Sequence, residues 1–201
     1  MIIYLHGFRS SPRSFKARLL AAALDARGQA QRWHCPQLPV SPRESIALVE
    51  RLMAGSEPQA VTLIGSSLGG YYATWLAERH GCRAALLNPA TEPAEDLDRY
   101  LGEQALWHGG GSIIVEPHHL SELRDYAVAG ITRPERYYLL ATTGDEVLDY
   151  RRMLDKYRGV ETTLIEGGDH GISDFAAHLA RVLDFCDRPA DPACPAPAAL
   201  A

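Results

Sequence analysis

Clustered positive charge is the first thing this sequence lacks. Lys16 and Lys156 are its only lysines, and 20 Lys plus Arg stand against 25 Asp plus Glu, for a formal net charge of −5. Neutralising a phosphate backbone takes grouped Lys and Arg, so no nucleic-acid partner is expected. The four cysteines, Cys35, Cys82, Cys186 and Cys194, form no Cys-x-x-Cys unit, which removes the usual structural-zinc and redox motifs and leaves free thiols as the expectation. No His-x-x-x-His or other strong ligand spacing is present, so neither a metal nor a cofactor is expected. No apolar run approaches the roughly 18 to 20 residues that cross a bilayer. The first residues, Met1 to Gly7, run into a strand pattern without a basic region or long apolar stretch. A leader peptide is therefore not expected, and the cytoplasm is the expected compartment. Internal repeats, a Gly-x-Gly-x-x-Gly motif and a Walker-type phosphate loop are also missing, which argues against a nucleotide-binding domain. What remains is ordinary globular composition, 46% hydrophobic and 22% charged over 201 residues, enough for one domain with a sizeable core.

The chain is organised around Val61 to Gly70, an apolar run ending in Gly65-Ser66-Ser67-Leu68-Gly69 and followed by a helix pattern over Leu68–His80. This reads as a strand, a nucleophile elbow and a helix. An exposed serine on so sharp a turn needs small residues two positions before and after it, which Gly65 and Gly69 supply, while Gly70 lets the helix pack on the sheet. Ser66 is off the central position of the motif and is taken as a neighbour.

Around this unit strand and helix alternate. Strands are expected at Ile2–His6, Ala30–Cys35, Arg83–Asn88, Tyr137–Thr142 and Val160–Ile165, and helices at Arg13–Arg27, after Ser41-Pro42, at Asp149–Tyr157 and at Ser173–Phe185. Such alternation predicts an α/β fold: a mostly parallel sheet of about six strands between helices, with ligands beyond the carboxyl ends of the strands. The alternation lapses over residues 89–134, where Thr91–Leu101 and His118–Ala129 are helix-capable and His108 to Gly111 is a flexible turn. This segment is expected to form a cap on a single domain covering 1–187. Arg188–Ala201, rich in Pro and Ala, has nothing to bury and is expected to fray as a tail that carries Cys194.

A serine hydroxyl needs a base, and the base needs a carboxylate to hold its tautomer. Ser67, Asp145 and His170 occur in the order this fold uses. Asp145 follows the strand Tyr137–Thr142, and His170 lies in a glycine-rich loop after Val160–Ile165. Each has a plainer reading, Asp145 as a turn residue and His170 as a surface loop histidine, and Glu146 and Asp149 remain alternative acids. Their joint placement after two successive strands favours the catalytic assignment. The backbone N–H groups of Phe8 and Leu68 are the expected oxyanion donors. His6 is expected to shape the oxyanion loop, and Arg9, Arg13 and Tyr71 to sit near the pocket mouth. His108, His118, His119 and His178 are taken as structural or surface residues.

Five segments in order, His6-Gly7-Phe8-Arg9-Ser10-Ser11-Pro12, Gly65 to Thr74, Asn88-Pro89-Ala90, Gly144 to Tyr150 and Glu166 to His170, resemble the small bacterial YqiA-type esterases of the α/β-hydrolase superfamily. The similarity spans about Met1 to Asp187. It implies a trimmed three-layer α/β-hydrolase fold, hydrolysis of short acyl esters without a cofactor, and Ser67, Asp145 and His170 as the triad. The same machinery would serve an acyl thioester, and a catalytically silent ligand-binding protein on this fold is the alternative from another class. The segment around His108 to Gly111 and the tail depart from the family pattern and leave substrate choice open.

Overall fold

The computed structural model describes residues 1–189. Six parallel strands, β1 (Ile2–Leu5), β2 (Trp33–His34), β3 (Thr62–Ser66), β4 (Arg83–Leu87), β7 (Tyr137–Thr142) and β8 (Glu161–Ile165), form one sheet in the order β2-β1-β3-β4-β7-β8. The intervening β5 (Gly102–Ala105) and β6 (Ser112–Val115) form an antiparallel hairpin outside the sheet. The central strands β1, β3, β4 and β7 are buried along nearly their whole length. This is why they read as continuous apolar runs, as strands covered on both faces do.

Successive side chains of these strands point to opposite faces, and each face has its own core. Ile2, Tyr4, Ile64, Leu87, Tyr138 and Leu140 pack with α1 (Phe15–Ala26) and α7 (Phe175–Cys186). Ile3, Leu5, Leu63, Leu86, Leu139 and Ala141 pack with α2 (Pro42–Met53), α3 (Leu68–His80), α5 (Pro117–Asp125) and α6 (Tyr150–Lys156). Helix starts follow local chemistry. The Ser41 hydroxyl accepts from Glu44 N and the Asp149 carboxylate from Arg151 N, each satisfying an N–H the first turn leaves free.

Several boundaries differ from the sequence reading. Helix α1 begins at Phe15 with Ser14 as its cap, because the preceding residues turn back on themselves through Ser10 N to Gly7 O and Ser14 N to Ser11 O. The second strand shrinks to Trp33–His34. Thr91–Leu101 yields only one short helical turn, α4 (Pro93–Asp96), and a 3-10 turn. The hairpin, of which the sequence reading holds only the glycine turn, is made by Glu103, Gln104 and Ala105 pairing with Ile114, Ile113 and Ser112. Its β-branched run Ile113-Ile114-Val115 beyond three glycines is the signal that could have found it. The expected tail lies almost wholly outside the described residues, as does Cys194. Of the other cysteines, Cys82 and Cys186 are buried and Cys35 is half-buried, all three as free thiols.

Candidate active site

Ser67 sits where β3 turns into α3, with φ 54° and ψ −122°. A non-glycine residue in that region carries strain on the order of 1–3 kcal/mol, sustained only by surrounding structure. Part of that structure is Gly69, where a β-carbon would fall 1.9 Å from the Leu5 carbonyl oxygen. The elbow is thus pressed directly onto the end of β1. Ser67 N donates to Leu87 O at 3.1 Å, and Ala90 N to Ser67 O at 3.0 Å, so the strand end of β4 grips it from the other side.

His170 Nε2 is 3.0 Å from Ser67 Oγ, and His170 Nδ1 is 2.8 Å from Asp145 Oδ2. The Asp145 side chain is fully buried, and its other oxygen accepts from Val147 N and Leu148 N, both at 2.8 Å. This set of donors satisfies the buried carboxylate and fixes it in one orientation. The loops carrying the acid and the imidazole are joined backbone to backbone: Thr143 N donates to Ile165 O and Gly144 N to Gly167 O, at 2.9 and 2.8 Å. That approach requires glycine at position 144, where a β-carbon would lie 2.5 Å from Gly168 O. Of the alternative acids, Glu146 accepts from His170 N at 2.9 Å and Asp149 caps α6, so neither meets the imidazole ring.

Asn88, quoted above only as part of a matching segment, ties these parts together. Fully buried and with φ 42°, it donates from Nδ2 to Thr142 Oγ1, Asp169 O and His170 O at 3.1, 3.2 and 3.2 Å, and accepts from Thr142 N at 2.9 Å. His6 lies in the loop that follows β1. Its Nε2 accepts from Leu38 N at 3.1 Å, so Nδ1 carries the hydrogen and donates to Gly7 O at 3.0 Å. Burial lowers its pKa and the bond to Gly7 O partly opposes that.

A cavity of about 350 Å³ opens over Ser67 and His170. Phe8, Leu97, Tyr100, Trp107, Val147 and Leu148 give it an apolar wall, and Arg9, Lys16, Asp96 and Arg99 also line it. Phe8 and Leu68 both border it beside Ser67. Arg9 belongs to the mouth as expected and also clips the hairpin on: its carbonyl accepts from Trp107 N, Nε donates to Ala105 O at 2.6 Å, and its guanidinium lies 4.1 Å above the Trp107 ring. Arg13 lies instead against the Gly109 turn, and Tyr71 is buried, donating to Leu123 O at 2.6 Å. His108 lines the cavity, whereas His119 caps α5 through Glu116 N and His178 sits beside Asp174 on α7. Lys16 is among the cavity residues that sequence reasoning misses. As one polar position in an amphipathic helix, it carries no signal.

Glu116, His118 and His119 bring ligand-type atoms within 4.8 Å of one another. The His119 Nδ1 lone pair already accepts from Glu116 N at 3.0 Å, which accounts for this cluster as a helix cap. No helix among the described residues is long and apolar enough to cross a membrane.

A parallel six-stranded sheet between two helical layers, with a serine at the strand-to-helix elbow, defines a protein of the α/β-hydrolase fold. The model of the uncharacterised protein family UPF0227, the YqiA family, matches residues 1–187, and the chain belongs to that family. Solved structures with the same fold include mouse alpha/beta hydrolase domain-containing protein 10, at 18% identity and TM-score 0.70, covering 92% of this chain and 89% of that one. Est1E from Butyrivibrio proteoclasticus shares 15% identity at TM-score 0.62, covering 92% and 85%. The esterase domain of a Rhodothermus marinus protein shares 22% at TM-score 0.61, covering 90% and 83%.

Proposed function

We propose that this protein is a serine hydrolase of short-chain carboxylic esters, with Ser67 as nucleophile, His170 as general base and acid, and Asp145 as the carboxylate that orients His170. The observation that carries the reading is the single imidazole bridging Ser67 Oγ at 3.0 Å and a buried carboxylate at 2.8 Å. His170 Nε2 takes the Ser67 proton as Oγ bonds to the ester carbonyl carbon, and Asp145 stabilises the imidazolium. The N–H groups of Phe8 and Leu68 receive the oxyanion. His170 then returns the proton to the departing alkoxide as the carbon–oxygen bond breaks. Water, deprotonated by His170, next attacks the acyl-serine carbonyl, and the acid leaves as Ser67 regains its proton. No cofactor enters this sequence. The cavity volume of about 350 Å³ and its apolar wall suit a small acyl or aryl ester.

Hydrolysis of para-nitrophenyl esters from acetate to octanoate, with fluorophosphonate labelling in parallel, tests this reading. Wild type is expected to turn over and label, with the shorter esters preferred. Ser67→Ala is expected to lose labelling and at least about 10³-fold in kcat. A folded wild type that neither turns over nor labels would leave a ligand-binding protein. Faster hydrolysis of the matched acyl thioesters would reassign the substrate class while keeping the same three residues.

A further inference from the structure

Lys16 stands in the first turn of α1, and its Nζ donates to Gly171 O at 2.6 Å, one residue beyond His170. An ammonium has three donors. Gly171 O takes one, and among the described residues no carboxylate lies within 4.0 Å to make an ion pair with it. The acids nearest in charge are Asp169 and Asp145, and both are already engaged: Asp169 Oδ1 accepts from Ser173 N, and Asp145 accepts from His170, Val147 and Leu148. Lys16 lines the cavity together with Ser66, Ser67, His170 and Gly171. Phe8, Leu97, Tyr100 and Leu148 line the same cavity.

A cation in that place is costly in two ways. It is partly buried with no carboxylate paired to it, and it opposes the imidazolium that His170 would become. Both costs are offset when the bound substrate brings a negative charge. We propose that Lys16 is the specificity residue of the site and that the preferred substrates are esters carrying a carboxylate near the scissile bond, held by the ammonium of Lys16 while the rest of the ester lies on the apolar wall. The inference rests on the serine hydrolase reading above. Burial pushes the Lys16 pKa down to about 8, with Asp169 and Asp145 drawing it partly back up. The ammonium is therefore the form present at neutral pH, and it begins to discharge just above. The other ionisable groups bordering the cavity are Arg9, Asp96, Arg99, Tyr4, Tyr100, His108 and His170.

Two matched pairs of esters test it: the para-nitrophenyl half-ester of adipic acid against its methyl-capped diester, and the butyrate of meta-hydroxybenzoate against that of its methyl ester. The first pair places the carboxylate on the acyl side and the second on the leaving group. Wild type is expected to favour the carboxylate member of at least one pair by about tenfold in kcat/KM. Lys16→Met should abolish that preference, bringing the two members of the pair within about threefold of each other. Lys16→Arg should retain the preference, and should keep it above pH 8, where wild type loses it. A fall in all four rates together in Lys16→Met would mark Lys16 as a support for the His170 loop only and would overturn the proposal. Turnover without preference in either pair would also overturn it. Failure to hydrolyse any of the four esters, with no fluorophosphonate labelling, would instead defeat the hydrolase reading and the inference with it.

Discussion

At the scale of single residues, the site depends on groups held in one protonation state. His6 works as a neutral imidazole, donating to Gly7 O and accepting from Leu38 N. Protonation would place an N–H against that Leu38 N–H. Burial keeps the pKa below the ordinary histidine value of 6.5 in the folded chain. Between the folded and unfolded pKa values the unfolded chain binds more protons, so stability is full above about 6.5 and is lost as pH falls through the folded pKa. The melting temperature is accordingly expected to fall between pH ~7.5 and ~5.5, and to fall less in His6→Gln. Parallel slopes in the two proteins would remove His6 as the cause.

At the scale of elements, Asn88 at the end of β4 fastens the end of β7 to the loop that carries His170. Asn88→Ala takes their partner from the His170 carbonyl and Thr142 N, while Asp169 O keeps Thr142 Oγ1 and Ile172 N. The expected cost is about 1–3 kcal/mol in stability. Steady-state kinetics should also show kcat lowered by about 10- to 100-fold with KM little changed, as the imidazole loses its fixed place. An unchanged kcat would mean that the zipped loops 143–147 and 166–171 hold His170 by themselves. The elements that carry Ser67 and Asp145 are legible in the sequence because each follows a buried strand with a plain apolar run, whereas the strand before His170, largely exposed, is legible from its β-branched Thr162, Thr163 and Ile165 and the glycines after it. Asn88 is not legible as a fastener, since its partners are main-chain carbonyls 81 and 82 residues away. The hairpin escapes for another reason. Its strands pair only with each other and leave Gly102, Glu103 and Ile114 exposed, so no buried face imposes a clean alternation.

For the molecule as a whole, the two cores on either side of the sheet share β1, β3, β4 and β7, so these strands can expose their amides only when both cores open. The hairpin belongs to neither sheet face, and Arg9 ties its Ala105 and the following Trp107 to the loop after β1. Amide hydrogen exchange should therefore be slowest in β1, β3, β4 and β7, with protection approaching the global unfolding free energy. Residues 102–115 should exchange through local opening, faster by orders of magnitude. Equal protection in the two regions would show that the hairpin unfolds only with the sheet.

Chain order and spatial order differ in this sheet: β4 and β7 are neighbours, yet the whole of 89–134 separates them in sequence. During synthesis Ser67 emerges early, and β1, β3 and α3 can close the elbow around it. The imidazole that meets it emerges 103 residues later and takes its place only after β7 and β8 have been added to the growing edge. A ribosome-bound or truncated chain ending before that point holds Ser67 without the imidazole that stands 3.0 Å from its hydroxyl. On the mechanism proposed above, a chain interrupted before His170 is inert.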